Sequence, residues 1–173
     1  MHMLHLLRHA KSSWKGDKED HKRPLSKRGR EASRLVGRHL SEALGKVDLV
    51  LCSSATRTLE TLELVLTRFQ SRPACLIEDG LYLADCDKLT KRLKLLDEDC
   101  GNVLLLGHNP GLHQLAIALA KPHSPAFSHL ANGKFPTLAR ASLQVIMPWS
   151  EITEARHPLV DYVTPALLFG EES

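Results

Sequence analysis

Three short apolar runs, at residues 4–7, 47–52 and 102–106, each stop at a polar cluster, and stretches of helical periodicity separate them. Apolar runs of that length read as buried strands. Strands alternating with helices build a layered α/β sheet. The helical stretches carry their own start and stop signals. Pro24-Leu25-Ser26 opens one, with Ser26 as N-cap; Ala32, Leu35, Val36, His39, Leu40 and Leu44 follow at helical spacing, and Gly45 suits the C-terminal cap. Ser53 or Ser54 is expected to cap a helix running to about Phe69. Residues 74–77 read as a third short strand, and Asp85 or Asp87 as the start of a helix through Leu96. Pro110 fits the first turn of a helix through Ala120. Residues 121–137, rich in Pro, Ser and Gly, read as a loop, and 141–147 as a last strand. From Trp149 onward the pattern is ambiguous. The expected fold class is α/β, three-layer α/β/α around a central, mainly parallel sheet.

The chain has 173 residues, enough for one domain with a full core, so a single domain over 1–173 is expected. No apolar stretch approaches the roughly 20 residues of a membrane helix, and the N-terminus lacks the pattern of a secretion signal. Cys52, Cys75, Cys86 and Cys100 form no CxxC pair and show no zinc-like spacing, which suits reduced thiols in a cytoplasmic protein. The net charge is +3, but between Lys11 and Lys46 eleven Lys/Arg stand against five Asp/Glu. Such a bias draws in anionic ligands. Aromatics are few and not interleaved with the bases, so nucleic acid is not an expected partner.

The chemistry concentrates where the apolar runs end: Arg8-His9, then Ser53-Ser54-Ala55-Thr56-Arg57, then Gly107-His108-Asn109. Ligands of open α/β sheets bind at the carboxyl ends of strands. Were these ends to lie side by side, two arginines and two histidines would converge, with a helix N-terminus adding N–H donors. Two guanidinium forks, an imidazolium and backbone donors match the oxygens of a phosphoryl group in transfer. The remaining histidine would be free to attack phosphorus. Cys52 and Arg57 do not form the loop of a cysteine-dependent phosphatase, since four residues rather than five separate them and none is glycine. The ten histidines include no HExxH. No metal ion and no cofactor are expected.

Several motifs, in order, resemble those of the histidine phosphatase superfamily, and within it the small SixA-type phosphohistidine phosphatases of phosphoglycerate mutase-like fold. They are Leu7-Arg8-His9-Ala10-Lys11-Ser12-Ser13-Trp14, Arg23-Pro24-Leu25-Ser26-Lys27-Arg28-Gly29, Ser53-Ser54 with Arg57-Thr58-Leu59-Glu60-Thr61, Gly107-His108-Asn109-Pro110-Gly111-Leu112, and Phe135-Pro136-Thr137. The resemblance covers roughly residues 3–147. It implies His9 as nucleophile, Arg8 and Arg57 as phosphate clamp, and His108 as the second pocket histidine. Ser12 and Asn109 join the substrate-binding set. Two positions depart from the family pattern: Ala10 replaces a glycine, as SixA-like members often show, and Leu83 stands where mutase-like relatives carry a glutamate proton donor. Glu78, Asp79, Asp85 and Asp20 are the substitutes to weigh. The expected activity is metal-independent hydrolysis through a phosphohistidine intermediate, with protein phosphohistidine as substrate. The alternatives are a small phosphate ester on the same fold, or a phosphate-binding module without turnover.

Overall fold

The computed structural model describes residues 1–154 and 156–170; Ala155 and residues 171–173, part of the span expected as one domain, lie outside the described residues. In chain order the elements are β1 (His2–Arg8), α1 (Lys27–Leu44), β2 (Leu49–Ser53), α2 (Thr56–Leu66), β3 (Ala74–Glu78), α3 (Cys86–Leu93), β4 (Asn102–Gly107), α4 (Gly111–Leu119), α5 (Phe127–Asn132), β5 (Arg140–Val145), β6 (Leu159–Val163) and α6 (Pro165–Phe169). The strands form one sheet in the order β3-β2-β4-β1-β5-β6. Neighbours from β3 to β1 pair in parallel, and β5 runs antiparallel to both β1 and β6.

Period-two alternation along the strands divides the core between the two sheet faces. Leu4, Leu6, Leu49, Leu51, Val103 and Leu105 pack with Leu89 and Leu93 of α3 and Leu112, Leu115 and Leu119 of α4. Their neighbours Leu7, Val50, Cys52, Leu104 and Leu106 pack with Val36, Leu40 and Leu44 of α1 and Leu62, Val65 and Leu66 of α2. The result is the expected three-layer α/β/α arrangement.

Ser26 caps α1 by accepting from Gly29 N, Gly45 ends that helix at φ 60, and Asp85 caps α3 by accepting from Lys88 N. Other expectations need correction. Ala55, not Ser53 or Ser54, holds the N-cap position of α2, because the Ser53 hydroxyl is turned to other partners. That helix stops at Leu66 and α3 at Leu93. Leu35, expected on the core face of α1, is 56% exposed. Residues 121–137 are not all loop: α5 forms there around Leu130, which is fully buried against the α4 side of the core. The ambiguous tail supplies β6 and α6, and Trp149 plugs the core with its indole N–H donating to the Cys100 carbonyl at 3.0 Å.

Candidate phosphoryl-transfer site

Register brings the three polar strand ends to one level. Arg8 of β1 pairs with Gly107 of β4, and Cys52 of β2 with Leu106 of β4, so Ser53 and Gly107 end their strands together. A cavity of about 260 Å³ opens above them, lined by Arg8, His9, Lys11, Ser12, Trp14, Arg23, Arg57, Leu83, His108, Asn109 and Thr137. All six residues singled out from the sequence therefore share one pocket.

The motifs around them hold the loops in place. After β1 the chain turns across α1: Ser26 N and Oγ both donate to the Lys11 carbonyl, at 2.9 and 3.1 Å, and Ser13 N donates to Pro24 O. A side chain at Gly29 would place its Cβ 2.1 Å from that same Lys11 oxygen, so only glycine allows the approach. Leu25 N donates to Glu60, and Ala10 N to Thr61 Oγ1, which ties the loop to α2. Thr58 Oγ1 donates to the Ser53 and Ala55 carbonyls at the start of the same helix. Across the site, the Phe135 carbonyl accepts from Arg8 Nη1 at 3.0 Å and Asn109 Nδ2 at 2.7 Å.

The two histidines lie with ring centroids 5.2 Å apart and carry opposite tautomers. His9 Nδ1 is 2.7 Å from the Ala10 carbonyl, which can only accept, so the proton sits on Nδ1. Nε2 then carries the lone pair, and it accepts from Arg57 Nε at 3.3 Å. Burial, and after it the charges of Arg57, Arg8 and Arg23, hold the His9 pKa down at about 4 despite the Ala10 contact. His108 Nδ1 faces Arg57 Nη2 at 3.4 Å, and its Nε2 donates to Ser53 Oγ at 2.7 Å. Burial, followed by His9 and Arg57, lowers its pKa to about 3. Both rings are neutral at pH 7, and the His9 Nε2 lone pair points at a cationic pocket. Such a nitrogen can attack phosphorus.

Two residues that sequence reasoning left without a clamp role complete the electrostatics. Arg23 is 8% exposed and donates to Ser12 Oγ, Ser13 O and Asp20 Oδ1. Nothing in its spacing separates it from the other bases of the 11–46 segment, although it heads the Arg23-Pro24-Leu25-Ser26 motif. Asp20 links it to Arg57, whose Nη1 donates to the Asp20 carbonyl and Nη2 to Oδ2. Tyr82 donates a short hydrogen bond to the same Oδ2. That bond first, then Arg57 and Arg23, keep the Asp20 pKa at about 2 against its partial burial.

None of the four carboxylates weighed as proton donors lines the pocket. Glu78 is held by Arg92 through contacts of 2.7–3.0 Å, Asp85 caps α3, Asp79 is exposed on the 3-10 turn Asp79–Leu81, and Asp20 stays ionised. Leu83 is the side chain that reaches the pocket from that side. Cys52 is fully buried, and burial raises its thiol to about 12, so no thiolate forms. Among the described residues no cluster of three or more His, Cys, Asp or Glu is arranged to hold a metal ion, and no helix is long and apolar enough to cross a membrane.

The model of the histidine phosphatase superfamily, branch 1, matches residues 4–82. An uncharacterized protein of Mycobacterium tuberculosis is 33% identical over 161 residues, covering 92% of this chain and 99% of that protein. A structure from Nakamurella multipartitia, named as a candidate phosphohistidine phosphatase SixA, superposes with a TM-score of 0.82 at 28% identity, over 95% of this chain and 96% of that one. A tungstate complex of the protein histidine phosphatase SixA gives a TM-score of 0.77 over 96% and 99% of the chains; at 23% identity it speaks for the fold alone.

Proposed function

This chain belongs to the histidine phosphatase superfamily, of SixA type, and on that premise we propose that its phosphatase activity is directed at phosphohistidine in a protein partner. In this reading the phosphoryl oxygens displace the Arg57 contacts from His9 and are held by Arg8, Arg57 and Arg23, and by His108 once its Nδ1 has taken up a proton from the incoming phosphoryl group or from water, with Ser12 and Asn109 at the edge of the site. His9 Nε2 attacks phosphorus, and the bond to the leaving nitrogen breaks. When the other nitrogen of the substrate ring is protonated, the group departs as neutral imidazole and needs no further proton. Water then attacks phospho-His9, the P–Nε2 bond breaks, and both water protons leave with inorganic phosphate. His9 returns to its neutral, Nδ1-protonated form.

The observation that carries the substrate class is the apolar side chain at the donor position. Leu83 lines the pocket, and Glu78, Asp79, Asp85 and Asp20 do not. An alcohol leaves phosphorus as a strongly basic alkoxide unless a positioned acid protonates it, and such help contributes about 10²–10⁴ in rate. An imidazole has a conjugate acid near pKa 6.5 and leaves without it. Phosphohistidine should therefore exceed simple alkyl phosphates by about a hundredfold or more in kcat/KM, the low end of that range. The test is a rate series against leaving-group basicity, with Glu78→Gln, Asp79→Asn and Asp85→Asn alongside. Equal rates on alkyl esters and phosphohistidine would overturn the reading, as would loss of ester turnover alone in one carboxylate variant.

A further inference from the structure

Two large apolar side chains stand at the mouth of the phosphoryl pocket, and the chemistry above gives neither a task. Trp14 is 79% exposed and Leu83 53% exposed, yet both line the cavity that holds His9 and His108. Local structure holds each of them there. The indole of Trp14 lies against the Arg23 guanidinium, whose carbon is 3.5 Å from the ring centroid. Arg23 is itself buried and tied to Asp20, Ser12 and Ser13, so the indole rests on a fixed cation while most of its surface stays open. Leu83 has φ 49, a left-handed conformation that costs a leucine energy. The turn that carries it is braced from behind: a Cβ at Gly111 would fall 1.9 Å from the Ala84 carbonyl, so α4 closes directly on the backbone beside Leu83. A strained backbone that exposes a leucine points to a task for that side chain at this position.

We propose that Trp14 and Leu83 form a subsite for a planar aromatic leaving group, an imidazole ring first among them. The ring stacks on the indole while its phosphoryl group lies among the pocket arginines. The inference deepens the proposed function and rests on it for the place of the phosphoryl group. Indole faces favour flat rings in offset stacks. Leucine offers no hydrogen-bonding group, so a polyhydroxyl leaving group pressed against it would lose water without replacement.

Binding of phosphonates, measured by calorimetry at a pH where all are dianions, separates the subsite from catalysis. Phenylphosphonate should bind the wild-type chain about tenfold more tightly than methylphosphonate, the scale of one aromatic stack with its buried area. It should also bind more tightly than cyclohexylphosphonate, which is as large but not flat. Trp14→Ala should bring the phenyl and methyl affinities within about twofold, whereas Trp14→Phe should keep most of the preference and Leu83→Ala should reduce it. Trp14 is so exposed that its replacement leaves the core intact. Equal affinities in the wild type, a cyclohexyl ligand that matches the phenyl one, or a preference that survives Trp14→Ala would each overturn the subsite. Failure of every phosphonate to bind would overturn it as well. A ring preference in a chain that leaves phosphohistidine intact would keep the subsite and refute the proposed substrate.

Discussion

At the scale of single residues, His9 and His108 differ through one hydrogen bond each. A carbonyl beside His9 Nδ1 frees its Nε2, and a hydroxyl beside His108 Nε2 frees its Nδ1, so both free nitrogens face Arg57. The arginine that receives the phosphoryl group in the proposed reaction thus orients both rings before it arrives. His9→Ala should abolish turnover while phosphate still binds, which steady-state assays and calorimetry would read separately. Arg57→Ala should lower kcat by about 10²–10³, the usual loss of one preorganised donor. Asp20 lies outside the residues that line the cavity and accepts from both Arg23 and Arg57 at one carboxylate, which in the proposed reaction makes it a positioning residue. Asp20→Ala should lower kcat by about ten- to a hundredfold for every substrate alike, because misplacement of a clamp is indifferent to the leaving group. An effect confined to alkyl esters would instead mark Asp20 as the proton donor.

At the scale of elements, close backbone approaches fix the loops that carry chemistry. Gly29 lets α1 sit on the Lys11 carbonyl, and Gly111 lets α4 sit on the Ala84 carbonyl. A methyl group at either site must push the loop away, at a cost of about 1–3 kcal/mol. Gly29→Ala and Gly111→Ala should both lower the urea midpoint. The second should also weaken ring selectivity through Leu83; full stability in both variants would contradict these contacts. The strands and their polar ends were legible because short apolar runs, helical periodicity and strand-end polarity all pointed one way. So were the caps at Ser26, Gly45 and Asp85, whose side chains or left-handed φ satisfy helix ends locally. That neither Ser53 nor Ser54 caps α2 was not legible, since a strand-end serine can serve the helix or the site, and for Ser53 the choice depends on His108 from a distant strand. Nor was α5, because its helix rests on one buried residue, Leu130, and on packing against α4. The place of Arg23 in the pocket, and the part of Asp20 in holding Arg23 and Arg57 rather than giving a proton, depend on the 12–26 loop folding back over α2.

At the scale of the whole molecule, the fold keeps three imidazoles neutral. His5, His9 and His108 are all at most 7% exposed, and burial, ahead of nearby charges, lowers them to about 4, 4 and 3 from 6.5. Their protonation favours the unfolded chain, so their contribution is complete above pH 6.5 and is lost as pH falls towards 4. For His5 alone that is on the order of 3 kcal/mol. Urea unfolding at pH 7, 5.5 and 4.5 should show the midpoint dropping within this window; a flat profile would contradict the buried, neutral rings. Asp20, held at about 2, adds a separate loss that begins only below about pH 4. In the proposed reaction the sheet delivers one unprotonated nitrogen, His9 Nε2, to a phosphoryl group. Rapid acid-free quenching of the chain with a phosphohistidine protein or a phenyl phosphate, followed by ³¹P NMR and peptide mapping, tests it directly. A transient, acid-labile phosphoryl group on Nε2 of His9, absent in His9→Ala, is the expected result. Phosphate on any other residue, or turnover that survives His9→Ala, would contradict it.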